Sequence, residues 1–406
     1  MHRSARSLFA VSLASLLTIG GCAATEKTGS SGGGAGGGTT GAGPAGAGAG
    51  DAIPIGVDIE TSGPAAVQGS AYKDAVTLVA DQINARGGVL GRKIQLVIRD
   101  NKSDPTEALQ VAKGMITNDK VVAIVGGGSS PTTLSFADTV ETMKVPAVSM
   151  GSSGAIVNPP EKRRYMFKTP ANTELVVQKM LDDFAKRGVK SVGFLSVDNP
   201  YGQAGLQGFQ KAQSDGKIAL LGTEKFQATD KDYTAQVTKL VSQKPDAVVT
   251  WAIPPGAGIA AQNIRSSGFT GKVYFDAGAG AELFIKGAGA AAEGIYMVHP
   301  TVLVAPQAPP GAPNLKQMQD FYATYTQRYG DFSGFASYAA DALNLIVAAI
   351  EKAGSTDRDR IRDALEALTY TGVTGVFTMS PTDHSGLTAD ALSVLTVKSG
   401  KWAPAG

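Results

Sequence analysis

The chain has 406 residues, enough for about two domains of ordinary size, at roughly 100–200 residues each. Its 37 Lys and Arg residues nearly balance its 35 Asp and Glu residues, leaving a formal net charge of +2. No basic run is interleaved with aromatic residues, so the charge pattern indicates neither a nucleic-acid-binding protein nor a membrane-surface protein. The function must therefore be sought in local sites.

The first 22 residues have the pattern of a bacterial lipoprotein signal peptide. A charged start with Arg3 and Arg6 precedes an apolar run, which is shorter than the roughly 20 residues of a membrane-spanning helix. Cys22 is the only cysteine and stands where lipoproteins are cleaved and acylated, although a plain secretory signal is an alternative. We predict that residues 1–22 are signal peptide and lipobox and that Cys22 carries the lipid. The mature protein would then be extracytoplasmic and anchored to the cell membrane.

Residues 23–50 are dominated by Gly, Ala, Ser and Thr. A tract of this composition cannot bury enough apolar surface to offset the entropy of ordering it, so it predicts a flexible tether. The folded part of the chain should therefore begin near Asp51.

After Asp51, short β-branched runs alternate with longer segments of helical periodicity. The alternation predicts an α/β protein with mostly parallel sheets flanked by helices. The predicted strands are 53–59, 93–99, 121–125, 145–149, 191–197, 247–251, 272–275, 295–298 and 391–397. The predicted helices are 68–86, one capped by Asp104, one beginning at Pro131, 173–186, 202–213, 233–243, 259–266, 315–328, 336–352 and 358–368.

Polar, glycine-rich loops follow many of the predicted strands. Ligands of open α/β sheets bind outside the carboxyl ends of the strands, so loops that converge there should form a cleft. The loops concerned are 62–64, 126–130, 151–154, 198–201, 254–258 and 276–280.

The loop that leaves the third strand, Gly-Gly-Gly-Ser-Ser-Pro ending at Pro131, carries two serines directly before a predicted helix start. The backbone N–H groups of a helix start attract anions, and serine hydroxyls there can donate without adding charge. One interpretation is that Ser130 donates to a ligand carboxylate. The other is that Ser130 only caps the helix that begins at Pro131.

Other chemistries have weaker support in the sequence. No Gly-x-Ser-x-Gly occurs, and of the three histidines His299 and His384 lie far from any serine motif, so serine catalysis is not predicted. The stretch Gly256-Ala-Gly-Ile-Ala-Ala261, with Asp276 ending the next strand, matches a loose dinucleotide fingerprint and leaves a nucleotide-using α/β enzyme as an alternative. No His or Cys cluster predicts a metal, and no cofactor is expected.

An ordered series of motifs between residues 53 and 398 resembles the branched-chain amino-acid binding proteins, the extracytoplasmic receptors of ABC importers of the leucine/isoleucine/valine class. The motifs are Ser62-Gly-Pro64, Ile83-Asn-Ala-Arg-Gly-Gly-Val-Leu-Gly-Arg-Lys93, Asp104-Pro105, Ser129-Ser130, Asp198 to Gly202, Asp230-Lys-Asp-Tyr233 and Tyr338-Ala-Ala-Asp-Ala342. The resemblance implies a periplasmic-binding-protein type I fold, in which two lobes joined by three hinge crossovers close on a ligand. It places lobe I at 51–169 plus 300–377 and lobe II at 170–299 plus 378–406.

The resemblance also implies ligand-binding positions. Ser130, with N–H groups of its loop and Ser129 beside it, would bind the ligand carboxylate. The carbonyl of Gly151 and the hydroxyl of Ser153 would receive an α-ammonium group, and Tyr201 would come from the second lobe. Two pocket positions that are aromatic in the family are occupied by non-aromatic residues in this sequence, Gln68 and Ile253.

The sequence departs from the family where the ammonium-pairing Glu would stand, because that residue is Gly278. A buried ammonium without a carboxylate partner is unfavourable by several kcal/mol. Either Asp276, two residues earlier and able to face the same side of an extended segment, takes the role, or the ligand has no ammonium.

These observations predict a lipid-anchored solute-binding protein that captures a small carboxylated molecule, an amino acid or another organic acid, and presents it to ABC permease subunits. A ligand-sensing lipoprotein without a transport role is the alternative within the same class. Neither interpretation includes catalysis, a metal or nucleic acid.

Overall fold

The computed structural model describes residues 52–406. The predicted signal peptide, the lipid attachment at Cys22 and the predicted tether lie outside the described residues. Within residues 52–406, no helix is both long and apolar enough to span a bilayer.

The first sheet has five strands, all parallel, in the order β2-β1-β3-β4-β5. Strands β3 and β4 are buried along their whole length, as expected for parallel strands covered by helices on both faces. The elements of this part are β1 (Ile53–Ile59), α1 (Ala66–Ala85), β2 (Ile94–Asp100), α2 (Pro105–Thr117), β3 (Ala123–Gly126), α3 (Ser130–Met143), β4 (Ala147–Ser149) and β5 (Met166–Lys168).

The chain then builds most of a second sheet from alternating helices and strands. These elements are α4 (Thr173–Arg187), β6 (Ser191–Val197), α5 (Pro200–Ser214), β7 (Ala219–Phe226), α6 (Thr234–Ser242), β8 (Ala247–Trp251), α7 (Gly256–Ser266), β9 (Lys272–Phe275), α8 (Glu282–Ala288) and β10 (Tyr296–Pro300). The remaining elements are α9 (Leu315–Tyr329), α10 (Gly334–Ala353), α11 (Arg358–Glu366), β11 (Thr369–Thr371), β12 (Val376–Thr378), β13 (Leu392–Lys398) and β14 (Lys401–Pro404).

The second sheet has the order β14-β13-β10-β9-β8-β6-β7. Its strands from β10 to β7 are parallel, whereas β13 runs antiparallel to both β10 and β14. Strands β11 and β12 form a separate antiparallel ribbon. The prediction of an α/β protein with mostly parallel sheets flanked by helices is confirmed.

The chain passes between the two sheets three times. It leaves the first sheet after β5, and it returns after β10, so that α10 packs against α1, β3 and β4. After the β11–β12 ribbon it crosses again, because β13 pairs with β10. The carboxyl ends of both sets of parallel strands are thereby brought to one shared region.

Candidate ligand-binding site

A cavity with about 180 Å³ accessible to the centres of water molecules lies between the two sheets. It is bordered by loops that follow β1 to β4 in the first sheet and β6 to β9 in the second, with side chains of α1 and α10. Each of the six polar loops singled out in the sequence contributes at least one residue to its lining. Helix α3 of the first sheet also packs against α5 of the second, beside this cavity.

Ser129, not Ser130, caps helix α3, and this corrects the structural interpretation of the serine pair. Ser129 is extended (φ −117°, ψ 157°), and its Oγ accepts a hydrogen bond from the Thr132 N–H at 3.5 Å. The buried Glu60 carboxylate accepts from the Ser129 N–H at 2.9 Å and from the Thr132 hydroxyl at 2.5 Å. Helix α3 therefore begins at Ser130, one residue earlier than predicted. Ser129 lines the cavity, but its own polar groups already have partners.

Two hydrogen-bond donors of Ser130 have no acceptor among the described residues. Its Oγ accepts a hydrogen bond from the Ser153 N–H at 3.1 Å, while its own N–H and O–H have no partner within residues 52–406. The N–H of Ser152, which also lines the cavity, likewise has no partner there. The two unpaired donors of Ser130 lie in the first residue of α3, where the helix dipole favours an anion, and the unpaired N–H of Ser152 belongs to a residue that lines the same cavity. We call Ser130, Gly151 and Ser152 the serine wall.

Of the two residues predicted to receive an ammonium group, Gly151 lines the cavity and Ser153 does not. Gly151 lines the cavity, and its N–H donates to the Ser149 Oγ at 2.9 Å. Ser153 is buried and does not line the cavity. It lies behind Ser130, and its N–H donates to the Ser130 Oγ, which orients the Ser130 hydroxyl. Ser153, whose hydroxyl was predicted to receive a ligand ammonium, is therefore not among the residues that line this cavity.

The opposite face of the cavity carries Tyr201, Asp276 and Gly278, which we call the tyrosine wall. Asp276 is 3% exposed and accepts hydrogen bonds from the Tyr201 hydroxyl, from the Gly278 N–H at 3.1 Å and from the Ala252 N–H at 3.2 Å. Burial raises the pKa of Asp276 to about 7, although these hydrogen bonds act in the opposite direction.

Gly278 is a structural requirement of this wall. A Cβ at position 278 would lie 2.2 Å from the Tyr201 Oη and 2.8 Å from the Ala252 carbonyl oxygen. A side chain at 278 and the Tyr201–Asp276 hydrogen bond therefore compete for the same space.

Gln68 and Ile253, named from the family resemblance, both line the cavity. The Gln68 amide donates to the Gly128 carbonyl at 3.3 Å, and Ile253 lies beside Gly278. Sequence reasoning missed most of the aromatic lining. The rings concerned, besides Tyr201, are Tyr72, Phe226, Trp251, Phe335 and Tyr338. Trp251 is the last residue of β8, a strand that the sequence predicted, so its position at a strand end was an available signal. Phe226 is the last residue of β7, which the sequence did not predict.

Lys168 was also missed, and it lies behind the cavity at the end of β5. Its side chain is fully buried, and its ammonium donates to the carbonyls of Pro170 at 2.9 Å, Ala171 at 3.2 Å and Ser152 at 3.4 Å. Those three residues line the cavity. Burial lowers the pKa of Lys168 to about 7, although the more distant charges of Glu174 and Asp383 raise it.

The alternative chemistries gain no support from the described residues. His299 bonds the Pro300 carbonyl and His384 bonds the Met166 carbonyl, and neither histidine lines the cavity as a base for Ser130. The glycines of the dinucleotide-like stretch serve packing, because a Cβ at Gly258 would lie 3.2 Å from the Gly287 backbone. No group of three or more metal-binding side chains occurs within residues 52–406.

Two α/β sheets with a ligand-sized cavity between the carboxyl ends of their strands define a two-lobed binding protein. The family model for periplasmic binding proteins matches residues 52–401, so the chain belongs to that family. Membership implies an extracytoplasmic location.

Relatives agree with this assignment. A Leu-, Ile-, Val-, Thr- and Ala-binding protein of Pseudomonas aeruginosa is 27% identical over 80% of this chain and 85% of its own. An extracellular ligand-binding receptor from Rhodopseudomonas palustris HaA2 is 26% identical, with a TM-score of 0.82 over 88% of this chain and 100% of its own. The binding protein LivJ from Streptococcus pneumoniae, solved with isoleucine, is 25% identical, with a TM-score of 0.75 over 87% of this chain and 98% of its own. The predicted family and type I fold are confirmed, and these relatives are solute-binding proteins rather than enzymes.

Proposed function

We propose that this protein captures a small carboxylate between two lobes and delivers it to an ABC importer. The observation that carries the proposal is the set of unpaired donors on the serine wall, the N–H and O–H of Ser130 and the N–H of Ser152. A carboxylate has oxygens to accept from all three, and the α3 dipole adds attraction.

The lobes are proposed at the boundaries expected from the sequence, 51–169 plus 300–377 and 170–299 plus 378–406. A ligand stabilises the closed arrangement only if it contacts both lobes. The serine wall belongs to the first lobe and the tyrosine wall to the second, so one small molecule in the cavity can satisfy that condition.

The binding site is tested with a thermal-shift screen of amino acids, aliphatic acids and aromatic acids, followed by calorimetry on the best ligand. Ser130→Ala should weaken binding about 10- to 100-fold, because a hydrogen bond to a charged group contributes roughly 1.5–3 kcal/mol. Ser135→Ala is the matched control, since its hydroxyl donates to the Thr132 carbonyl on the same helix outside the cavity lining. Wild-type affinity in Ser130→Ala would refute the carboxylate site.

The anchor and the transport role need separate experiments. Cys22→Ala should release the protein from the membrane fraction, and retention there would contradict lipid attachment at this residue. Cells lacking the adjacent permease genes should lose uptake of the radiolabelled ligand. Unchanged uptake would favour a sensor that presents the closed form to a receptor.

A further inference from the structure

We propose that the ligand is a carboxylic acid without an α-ammonium group and with an apolar body about the size of one ring. The inference rests on the proposed carboxylate capture at the serine wall. It follows from the charge and the packing of the tyrosine wall, whose one carboxylate, Asp276, already accepts three hydrogen bonds from the protein.

Asp276 is the only acidic residue among the described residues that line the cavity. Its oxygens already accept from the Tyr201 hydroxyl and from the N–H groups of Gly278 and Ala252. A carboxylate has about four acceptor sites, so one remains for the three donors of an ammonium group.

A second carboxylate, Glu60, stands near the serine wall but does not reach the cavity. It is fully buried, and one of its oxygens is held by Ser129 and Thr132. The other oxygen, Oε2, is buried and has no hydrogen-bond partner among the described residues; it lies close to the Gly128 backbone, where a Cβ would be 2.1 Å from it. Because Glu60 is absent from the cavity lining, a cation in the cavity would reach this oxygen only if the loop around Gly128 moved.

Position 278 cannot supply an acid either. Any side chain there would displace the Tyr201 hydroxyl, 2.2 Å from the Cβ position, and would break its bond to Asp276. Gly278 leaves the space that the Tyr201 hydroxyl needs to reach Asp276. The Asp276 carboxylate therefore has hydrogen-bond donors from the protein before a ligand binds.

The molecule contains an example of an ammonium surrounded by carbonyls. Lys168 donates to three carbonyl oxygens, and burial still lowers its pKa to about 7. Carbonyl oxygens of the cavity would likewise not offset the desolvation of an amino acid's ammonium group, because desolvation of the charge is the dominant effect.

The cavity lining describes the rest of the ligand. Six aromatic rings border it, three from α1 and α10 and three from α5, β7 and β8: Tyr72, Phe335, Tyr338, Tyr201, Phe226 and Trp251. Its volume of about 180 Å³ slightly exceeds that of an apolar protein cavity of about 150 Å³ that takes up benzene. A six-membered ring or a branched aliphatic chain with one carboxylate fits this space.

The test compares acids that differ only in the amine, using the wild-type protein. The pairs are 3-phenylpropanoate with phenylalanine and 4-methylpentanoate with leucine, measured by calorimetry at one pH. We expect the amine-free member of at least one pair to bind, and its amino acid to bind at least about 100-fold more weakly. An amino acid that binds as tightly as its amine-free partner overturns the inference.

Two further measurements separate this inference from the proposed function. Tight amino-acid binding that Ser130→Ala weakens would keep the carboxylate site and reject only the amine-free ligand. If no acid of either kind binds, or if 2-phenylethylamine binds better than the acids, both the carboxylate site and the inference are wrong.

Discussion

The two walls of the cavity differ in what they leave unpaired. The serine wall ends with N–H and O–H donors that have no partner within residues 52–406, whereas the tyrosine wall satisfies its carboxylate with three donors of its own. A site recognises charge through the groups that remain unsatisfied after folding. This difference is what the proposed function uses: an anion would bind at the serine wall, and the tyrosine wall would contribute shape and apolar surface.

Lys168 gives the largest expected effect, because it places a buried charge behind the serine wall. Its pKa in the folded state is about 7, against an ordinary value of 10.5. Between these pH values the unfolded chain binds a proton that the folded protein does not. The free energy of unfolding should therefore rise from pH 7 to 10.5, by several kcal/mol at about 1.36 kcal/mol per pKa unit. Below pH 7 this contribution is constant.

Urea unfolding of Lys168→Met between pH 7 and 10 should show a flatter dependence than wild type. Lys211→Met is the control, since Lys211 is exposed and pairs only with Asp215. Parallel curves for wild type and Lys168→Met would contradict the lowered pKa of Lys168 in the folded protein. If Lys168→Met gave a flatter curve and also bound the ligand more weakly, Lys168 would contribute to ligand binding at the serine wall as well as to the pH dependence of stability.

The tyrosine wall can be tested through its glycine. Gly278→Ala places a methyl group against the Tyr201 hydroxyl and should lower the free energy of unfolding by roughly 1–3 kcal/mol, the usual cost of overpacking. In the background of Tyr201→Phe, which lacks the hydroxyl, the same alanine should be less harmful. Gly287→Ala is the control, because a Cβ there meets nothing within 4 Å. Additive effects of the two changes in denaturant unfolding would refute the shared space.

The sequence predicted the central strands of the second sheet but missed its two edge strands, and the reasons are physical. Strands β6, β8 and β9 were predicted with the bounds that the structure has, because they are buried and read as apolar runs. Strand β7 was missed because it is an edge strand whose residues alternate between exposed and half-buried. Strand β14, the opposite edge, was missed as well.

The pairing within the tyrosine wall could not be predicted from the sequence. Tyr201 and Asp276 are 75 residues apart, and no periodicity links a tyrosine in one helix start to a carboxylate after a distant strand. The residue pattern placed Asp276 near position 278, but only the coordinates show that Tyr201 occupies the space a larger residue would need. The family resemblance located the wall, and its hydrogen bonds became visible only in the structure.

The smallest expected effect distinguishes the cap from the ligand donor within the serine pair. The sequence suggested Ser130 as the cap of α3, whereas the structure assigns the cap to Ser129. Ser129→Ala should therefore lower the free energy of unfolding by about 1 kcal/mol, the usual contribution of an N-cap, in denaturant unfolding. Its effect on ligand affinity should be smaller than that of Ser130→Ala, because the Ser129 hydroxyl is bonded to Thr132 and the Ser130 hydroxyl has no acceptor within the described chain. If Ser129→Ala weakened binding more than Ser130→Ala did, the anion end would depend on the rigidity of the loop more than on the Ser130 donors.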